Sequence, residues 1–225
     1  MTTTAAETGS PAASAAAGEG LIANGPEDAR CLLLLAHGAG QGPESLFMAR
    51  IASGLADADA SVRVVRFRFP YMARIEAEGR KRPPDREPVL LEALQGLIAR
   101  HRGQSDRLAI GGKSMGGRIA SLVADAAGVD GLVCLGFPFH PPGRPERFRA
   151  DHLANLRTPT LICQGERDPF GRREEVGDYR LSPAVELAWI DDGEHSFKPR
   201  KLSGRSWDDN LDLATVRVSA FLAGL

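Results

Sequence analysis

"AIGGKSMGGR", residues 109–118, admits two readings that imply different chemistry. Gly-Lys-Ser is how a phosphate-binding loop ends, whereas Gly-x-Ser-x-Gly is how a sharp strand-to-helix turn presents a serine. A phosphate loop needs a further glycine five residues before Gly112, because a wide loop of backbone N–H groups must wrap the phosphates. That position is Arg107, and the Leu-Ala-Ile-Gly that follows it reads as strand. The phosphate reading fails on spacing. The turn reading fits: "LAIGG" supplies a strand, "RIASLVADAA" supplies a helix, and Gly112 and Gly116 flank Ser114 where side chains would collide. The helix would also aim its first amides near the serine, where negative charge could be stabilised.

The chain around this turn has 225 residues, enough for one full-sized domain and too few for two comfortable ones. We expect a loose, disordered tail over 1–18 and a single domain over 19–225. The tail lacks the basic start and leucine-rich stretch of a signal peptide, and no apolar run approaches a membrane span. A net charge of −1 gives no reason to expect nucleic acid as a partner. Cys31, Cys134 and Cys163 have no metal-ligand spacing and each lies in an apolar run, which fits buried thiols in a reducing compartment. A cytoplasmic protein without membrane contact is the expectation.

Short β-type runs alternate with longer amphipathic segments, the mark of an α/β fold with a mainly parallel sheet. Strands are expected in "RCLLLLAHG", "SVRVVRFRFP", "DRLAIGG", "GLVCLGFP", "TPTLICQG" and "PAVELAWIDDG", with a weaker one around Leu21–Ala23. Helices are expected in "SLFMARIASGLADA", "VLLEALQGLIARHR", the segment after Ser114 and "NLDLATVRVSAFLAGL". "YMARIEAEGRKRPPDREP" reads as a long loop. The sum is a sheet of about six to seven strands with helices on both faces.

A serine hydroxyl is a weak nucleophile without a base, and the base needs an orienting acid. Asp168 lies just past the strand ending at Gln164, and His195 just past the strand ending at Ile190. With Ser114 they fall in the order expected of such a fold, each at the C-terminal end of its strand. Asp191 and Asp192 stand nearer His195 in sequence but at the end of its own strand, which favours Asp168. The amides of Met115 and Ala39 are the candidates for an oxyanion hole, Ala39 from the turn in "LLLLAHGAGQG". His37 is tempting as a base but is better placed to shape that turn. His101 and His152 look like surface residues.

These residues bring a resemblance into view. "AHGAG", "RFRFPYM", "GGKSMGGR", "GFPFHPPG", "QGERDPFG" and "DGEHSFKPRK" together resemble the α/β-hydrolase superfamily over roughly residues 30 to 225. Within it, the chain is similar to small bacterial hydrolases related to testis-expressed hydrolase-like proteins and to a subunit of the nonspecific-lethal chromatin complex. The resemblance implies the fold and a triad at Ser114, Asp168 and His195. The turn here is His-Gly-Ala-Gly rather than the triple-glycine turn of many lipases. The stretch "FPFHPPGRPERFRADHLANLR" leaves space for one helix, so no lid domain is expected.

The candidate substrate-binding set is His37, Gly38, Tyr71, His140, Phe170, Arg200 and Lys201. The last two belong to the basic stretch "KPRKLSGR" (198–205), which with "GRKRPP" (79–84) could draw an anionic group to the site if both loops overlook it. The expected activity is hydrolysis of a small carboxylic ester or thioester through an acyl-enzyme, with no metal or organic cofactor. The rival is a catalytically silent hydrolase fold acting as a binding or scaffold module. Oligomeric state and physiological substrate leave no signature in the sequence.

Overall fold

The computed structural model describes residues 20–225; the expected tail over 1–18 lies outside them. Seven strands form one sheet: β1 (Ile22–Asn24), β2 (Cys31–Ala36), β3 (Val62–Phe67), β4 (Arg107–Lys113), β5 (Gly131–Leu135), β6 (Thr160–Gly165) and β7 (Val185–Ile190). Their order is β1-β3-β2-β4-β5-β6-β7, and every pairing is parallel except β1 with β3. The weak signal at Leu21–Ala23 therefore marks a real strand, shifted by one residue and laid along the sheet edge.

Helices α1 (Leu46–Ala58) and α6 (Trp207–Ala223) cover one face of the sheet. Helices α3 (Glu87–His101) and α4 (Met115–Ala127) cover the other, with the buried Tyr71 of α2 (Pro70–Glu78). β2 shows why a continuous apolar run suits a central strand: Leu32, Leu34 and Ala36 enter one core while Cys31, Leu33 and Leu35 enter the other. Between β5 and β6 only a 3₁₀ turn forms, at Asp151–Asn155, and a single helical turn, α5 (Arg173–Val176), follows β6, so among the described residues no lid covers the strand ends. Among the described residues no helix is long and apolar enough to cross a membrane.

Two expectations need correction. Residues 71–78, assigned to a loop, form α2 together with Pro70, read as a strand end: Pro70 occupies the first turn and Gly79 ends the helix in left-handed geometry, φ 65°. These end signals outweigh the polar "ARIEAE" between them. His101 and His152 are not surface residues. His101 is buried with Nδ1 on the Leu97 carbonyl, and His152 is half-buried with Nε2 2.8 Å from Ser121 Oγ.

The register carries the site. Ala36 pairs with Gly112, Lys113 with Leu135, and Gly165 with Ile190, so the loops after β2, β4, β6 and β7 leave the same sheet edge. Helix α4 begins close against the end of β2. A Cβ on Gly116 would stand 2.6 Å from the carbonyl oxygens of both Ala36 and His37, and one on Gly112 would stand 2.6 Å from Ala36 O. Backbone on both sides leaves no flexible atom to yield. Gly116→Ala should therefore cost about 1–3 kcal/mol of stability. By contrast, Gly96→Ala on the open face of α3, where a Cβ meets nothing within 4 Å, should gain up to about 1 kcal/mol. Urea unfolding of the two variants checks both signs.

Candidate active site

Ser114 sits between β4 and α4 at φ 52°, ψ −116°, a conformation that L-residues rarely adopt. Its N–H donates to Leu135 O at 3.0 Å and its carbonyl receives Arg118 N–H at 3.0 Å, so strand and helix fix the turn from both sides. The side chain points to His195, whose Nε2 is 2.8 Å from Ser114 Oγ. On the other side of the ring, Nδ1 is 2.8 Å from Asp168 Oδ2. The three residues the sequence singled out thus form one hydrogen-bonded line.

Asp168 is fully buried, yet its carboxyl oxygens are well supplied with donors. Phe170 N–H donates to Oδ1 at 2.9 Å, and Gln164 Nε2 donates to Oδ2 at 3.1 Å beside the imidazole. Gln164 is itself fixed, since its Oε1 accepts Phe137 N–H at 2.7 Å. Asp191 and Asp192 face elsewhere. Asp192 is held by Arg167 and Arg200, and Asp191 stands 3.3 Å from Arg205.

The histidine loop is clamped by the C-terminal helix. Fully buried Asn210 donates to Asp191 O at 2.9 Å and to Phe197 O at 2.8 Å, and the Trp207 indole N–H donates to Ser196 O at 2.8 Å. That helix starts three residues earlier than its apolar periodicity suggested, because Ser206 and Asp209 cap each other's backbone N–H. Gln164, Asn210 and Trp207 were not foreseen as part of the site. For the helix start, Ser206-x-x-Asp209 was the available signal; the other contacts have no local one.

The turn after β2 is shaped from beneath. His37 is fully buried: Nδ1–H donates to Gly38 O at 2.7 Å, while Nε2 accepts Phe69 N–H at 3.1 Å. Those partners select the neutral ring, and burial lowers its basicity from the ordinary value. The Tyr71 hydroxyl lies 3.2 Å from Gly38 O and 3.1 Å from Ala39 O. With the Gly38 carbonyl drawn to these two side chains, the trans peptide turns the Ala39 N–H the opposite way. Gly38 itself abuts the Ser114 turn: a Cβ there would be 3.8 Å from Ser114 Cβ.

A cleft of about 290 Å³ opens over Ser114 and His195. Gly38, Ala39 and Gln41 form one wall, and Phe47, Met48 and Phe170 give it an apolar lining. The Phe170 ring stacks on the imidazole, centroids 4.2 Å apart. Lys113 is the cationic side chain of this lining, and its amine turns inward to the His195 carbonyl at 2.6 Å. His37, Tyr71, His140, Arg200 and Lys201 do not line the cleft, contrary to their place in the expected substrate set. His140 is buried with Nδ1 on Pro141 O, and Arg200 is paired with Asp192 through two nitrogens. Gly38 and Phe170 do line it. Among the described residues no group of three or more His, Cys, Asp or Glu is placed to hold a metal ion.

The sequence profile of a family described as an alpha/beta hydrolase domain matches residues 29–223. Among solved structures, a dienelactone hydrolase from Anabaena variabilis is 21% identical, with 92% of this chain and 94% of that one covered at a TM-score of 0.68. A serine hydrolase without a lid from Xanthomonas campestris is 20% identical over 88% of each chain, TM-score 0.65. Est1E from Butyrivibrio proteoclasticus, solved with ferulic acid, is 16% identical over 91% and 94%, TM-score 0.68. At these identities the likeness is one of fold.

Burial lowers the basicity of both His37 and His152 below the ordinary 6.5. As pH falls through that value the unfolded chain binds protons that the folded chain refuses, so stability rises with pH across this window and is lost on acidification. Thermal unfolding from about pH 7.5 to about pH 5 should show that loss. His152→Gln, which removes one such ring away from the cleft, should flatten the slope.

Proposed function

The chain belongs to the α/β-hydrolase domain family, and we propose that it is a serine hydrolase acting on a small, uncharged carboxylic ester or thioester. The observation that carries this reading is the line Ser114 Oγ–His195 Nε2, 2.8 Å, and His195 Nδ1–Asp168 Oδ2, 2.8 Å, at the floor of an open cleft. His195, with its proton on Nδ1 toward Asp168, takes the Ser114 proton at Nε2 as Oγ attacks the acyl carbonyl. Asp168 holds the ring in that tautomer and balances its charge once protonated. The amides of Met115 and Ala39 receive the oxyanion, one at the start of α4 and one from the turn held by His37 and Tyr71. The imidazolium then protonates the leaving group. Water, activated by the same Nε2, releases the acid from the acyl-enzyme.

The cleft volume and its Phe47, Met48 and Phe170 lining support a compact, apolar acyl or alcohol part. A neutral substrate is favoured because Arg200 is paired with Asp192 outside the cleft lining and Lys113 is turned inward. The closer kinship with testis-expressed hydrolase-like proteins belongs to the same proposal, as does a cytoplasmic location. Three buried cysteines without a disulfide fit a reducing compartment.

A fluorophosphonate probe tests the assignment. Wild type should label and Ser114→Ala should not, and Asp168→Asn should lower ester turnover by about 10⁴-fold. Labelling that survives Ser114→Ala would overturn the choice of nucleophile. A folded wild type that neither labels nor hydrolyses short-chain nitrophenyl esters and thioesters would point instead to the scaffold role.

A further inference from the structure

The lysine that made residues 109–118 look like a phosphate loop has a different use. We propose that Lys113 is a positioning residue: its ammonium, buried between the nucleophile turn and the histidine loop, holds the His195 backbone carbonyl and so sets the imidazole against Ser114. This rests on the serine hydrolase reading above.

Lysine is rarely buried without a compensating partner, and Lys113 is only 8% exposed. Its side chain makes one hydrogen bond among the described residues, Nζ–H to His195 O at 2.6 Å. On its other side Nζ lies 5.4 Å from the centroid of the Phe47 ring. The surroundings make room for the contact. Gly136, the residue after β5, stands where a Cβ would come within 2.9 Å of Lys113 Nζ and 2.7 Å of His195 O. Any side chain there would meet both partners.

The location of this bond gives it leverage. Lys113 directly precedes Ser114, and the carbonyl belongs to His195 itself, so the contact ties the backbones of nucleophile and base across 82 residues. Asp168 governs the rotation of the ring through Nδ1; Lys113 governs the backbone from which the ring projects. Small shifts at this point are costly, because proton transfer from Oγ to Nε2 depends on their separation.

The arrangement is also sensitive to pH. Burial pushes the amine down to about 8, against the opposing pull of the Asp168 and Glu194 carboxylates. The groups facing it are those two carboxylates, the His195 backbone and imidazole, and the uncharged Phe47. Above about pH 8 the neutral amine is a weaker donor, so reactivity should fall on the alkaline side.

The test compares wild type with Lys113→Met, which keeps the volume and removes the charge. Fluorophosphonate labelling should slow by about ten- to hundredfold and lose its alkaline limb, while the melting temperature at neutral pH holds or rises. Labelling at the wild-type rate with the wild-type pH profile would overturn the proposal. A second readout does not depend on turnover: the proton shared by His195 Nδ1 and Asp168, followed by ¹H NMR. In wild type its resonance should shift or broaden as pH passes through the amine's titration, and in Lys113→Met it should be altered at all pH values. If Lys113→Met fails to fold, an invariant wild-type resonance overturns the proposal and a moving one supports it. If wild type does not label at all, the hydrolase reading fails, and the resonance still decides whether Lys113 positions His195.

Discussion

The nearness of α4 to the end of β2 governs the rest of the site. The carbonyls of Ala36 and His37 press against the first turn of that helix so tightly that Gly112 and Gly116 have no room for a methyl group. Under that restriction the chain must reverse between Lys113 and Met115, which places Ser114 at φ 52°, ψ −116°. Backbone in such a region costs on the order of 1–3 kcal/mol. It persists because β4 is hydrogen-bonded on both sides, to β2 and β5, and cannot relax outward. The same two carbonyls end β2 and begin the 38–40 turn, so the proposed nucleophile and the proposed oxyanion donor share one contact surface.

The other half of the site is built differently. Asp168 and His195 come from loops, and loops need external support to hold a side chain within tenths of an ångström. Gln164 supplies it for Asp168 from within β6, where its amide bridges the carboxylate and the backbone around Phe137. For His195 the support comes from α6 through Asn210 and Trp207, and from β4 through Lys113. A rigid turn thus meets a braced loop, and the brace is polar throughout.

How much of this was legible depends on the range of the interaction. The strand–turn–helix around Ser114 could be read because its glycines lie within two residues of the serine. The strand ends that carry Asp168 and His195 could be read because buried parallel strands are short apolar runs with abrupt polar ends. α2 was missed although Pro70 and Gly79 bracket it, since its middle is charged and only Tyr71 is fully buried. β1 gave a faint signal because three residues on a sheet edge bury little. The roles of Lys113, Gln164 and Asn210 had no local signature. Each depends on a partner brought alongside by the finished sheet, and in isolation "GKS" pointed to the wrong chemistry. Arg200 misled for the same reason: its charge is plain in sequence, and its pairing with Asp192 across eight residues is not.

The clamp from α6 has a consequence for synthesis. Ribosomes release the chain from its N-terminus, and elements that are complete can pack before the rest has emerged. β4 and its serine turn are laid down before β5, β6 and β7, but Asn210 and the helix that holds the His195 loop follow every strand of the sheet. A nascent chain therefore carries an exposed serine turn with no ordered His195 opposite it. The site closes only when α6 docks beside α1, the first helix after β2. The alignment of Ser114 with His195 thus depends on a helix made after every strand of the sheet, and a chain lacking Trp207 and Asn210 would have neither clamp on the His195 loop.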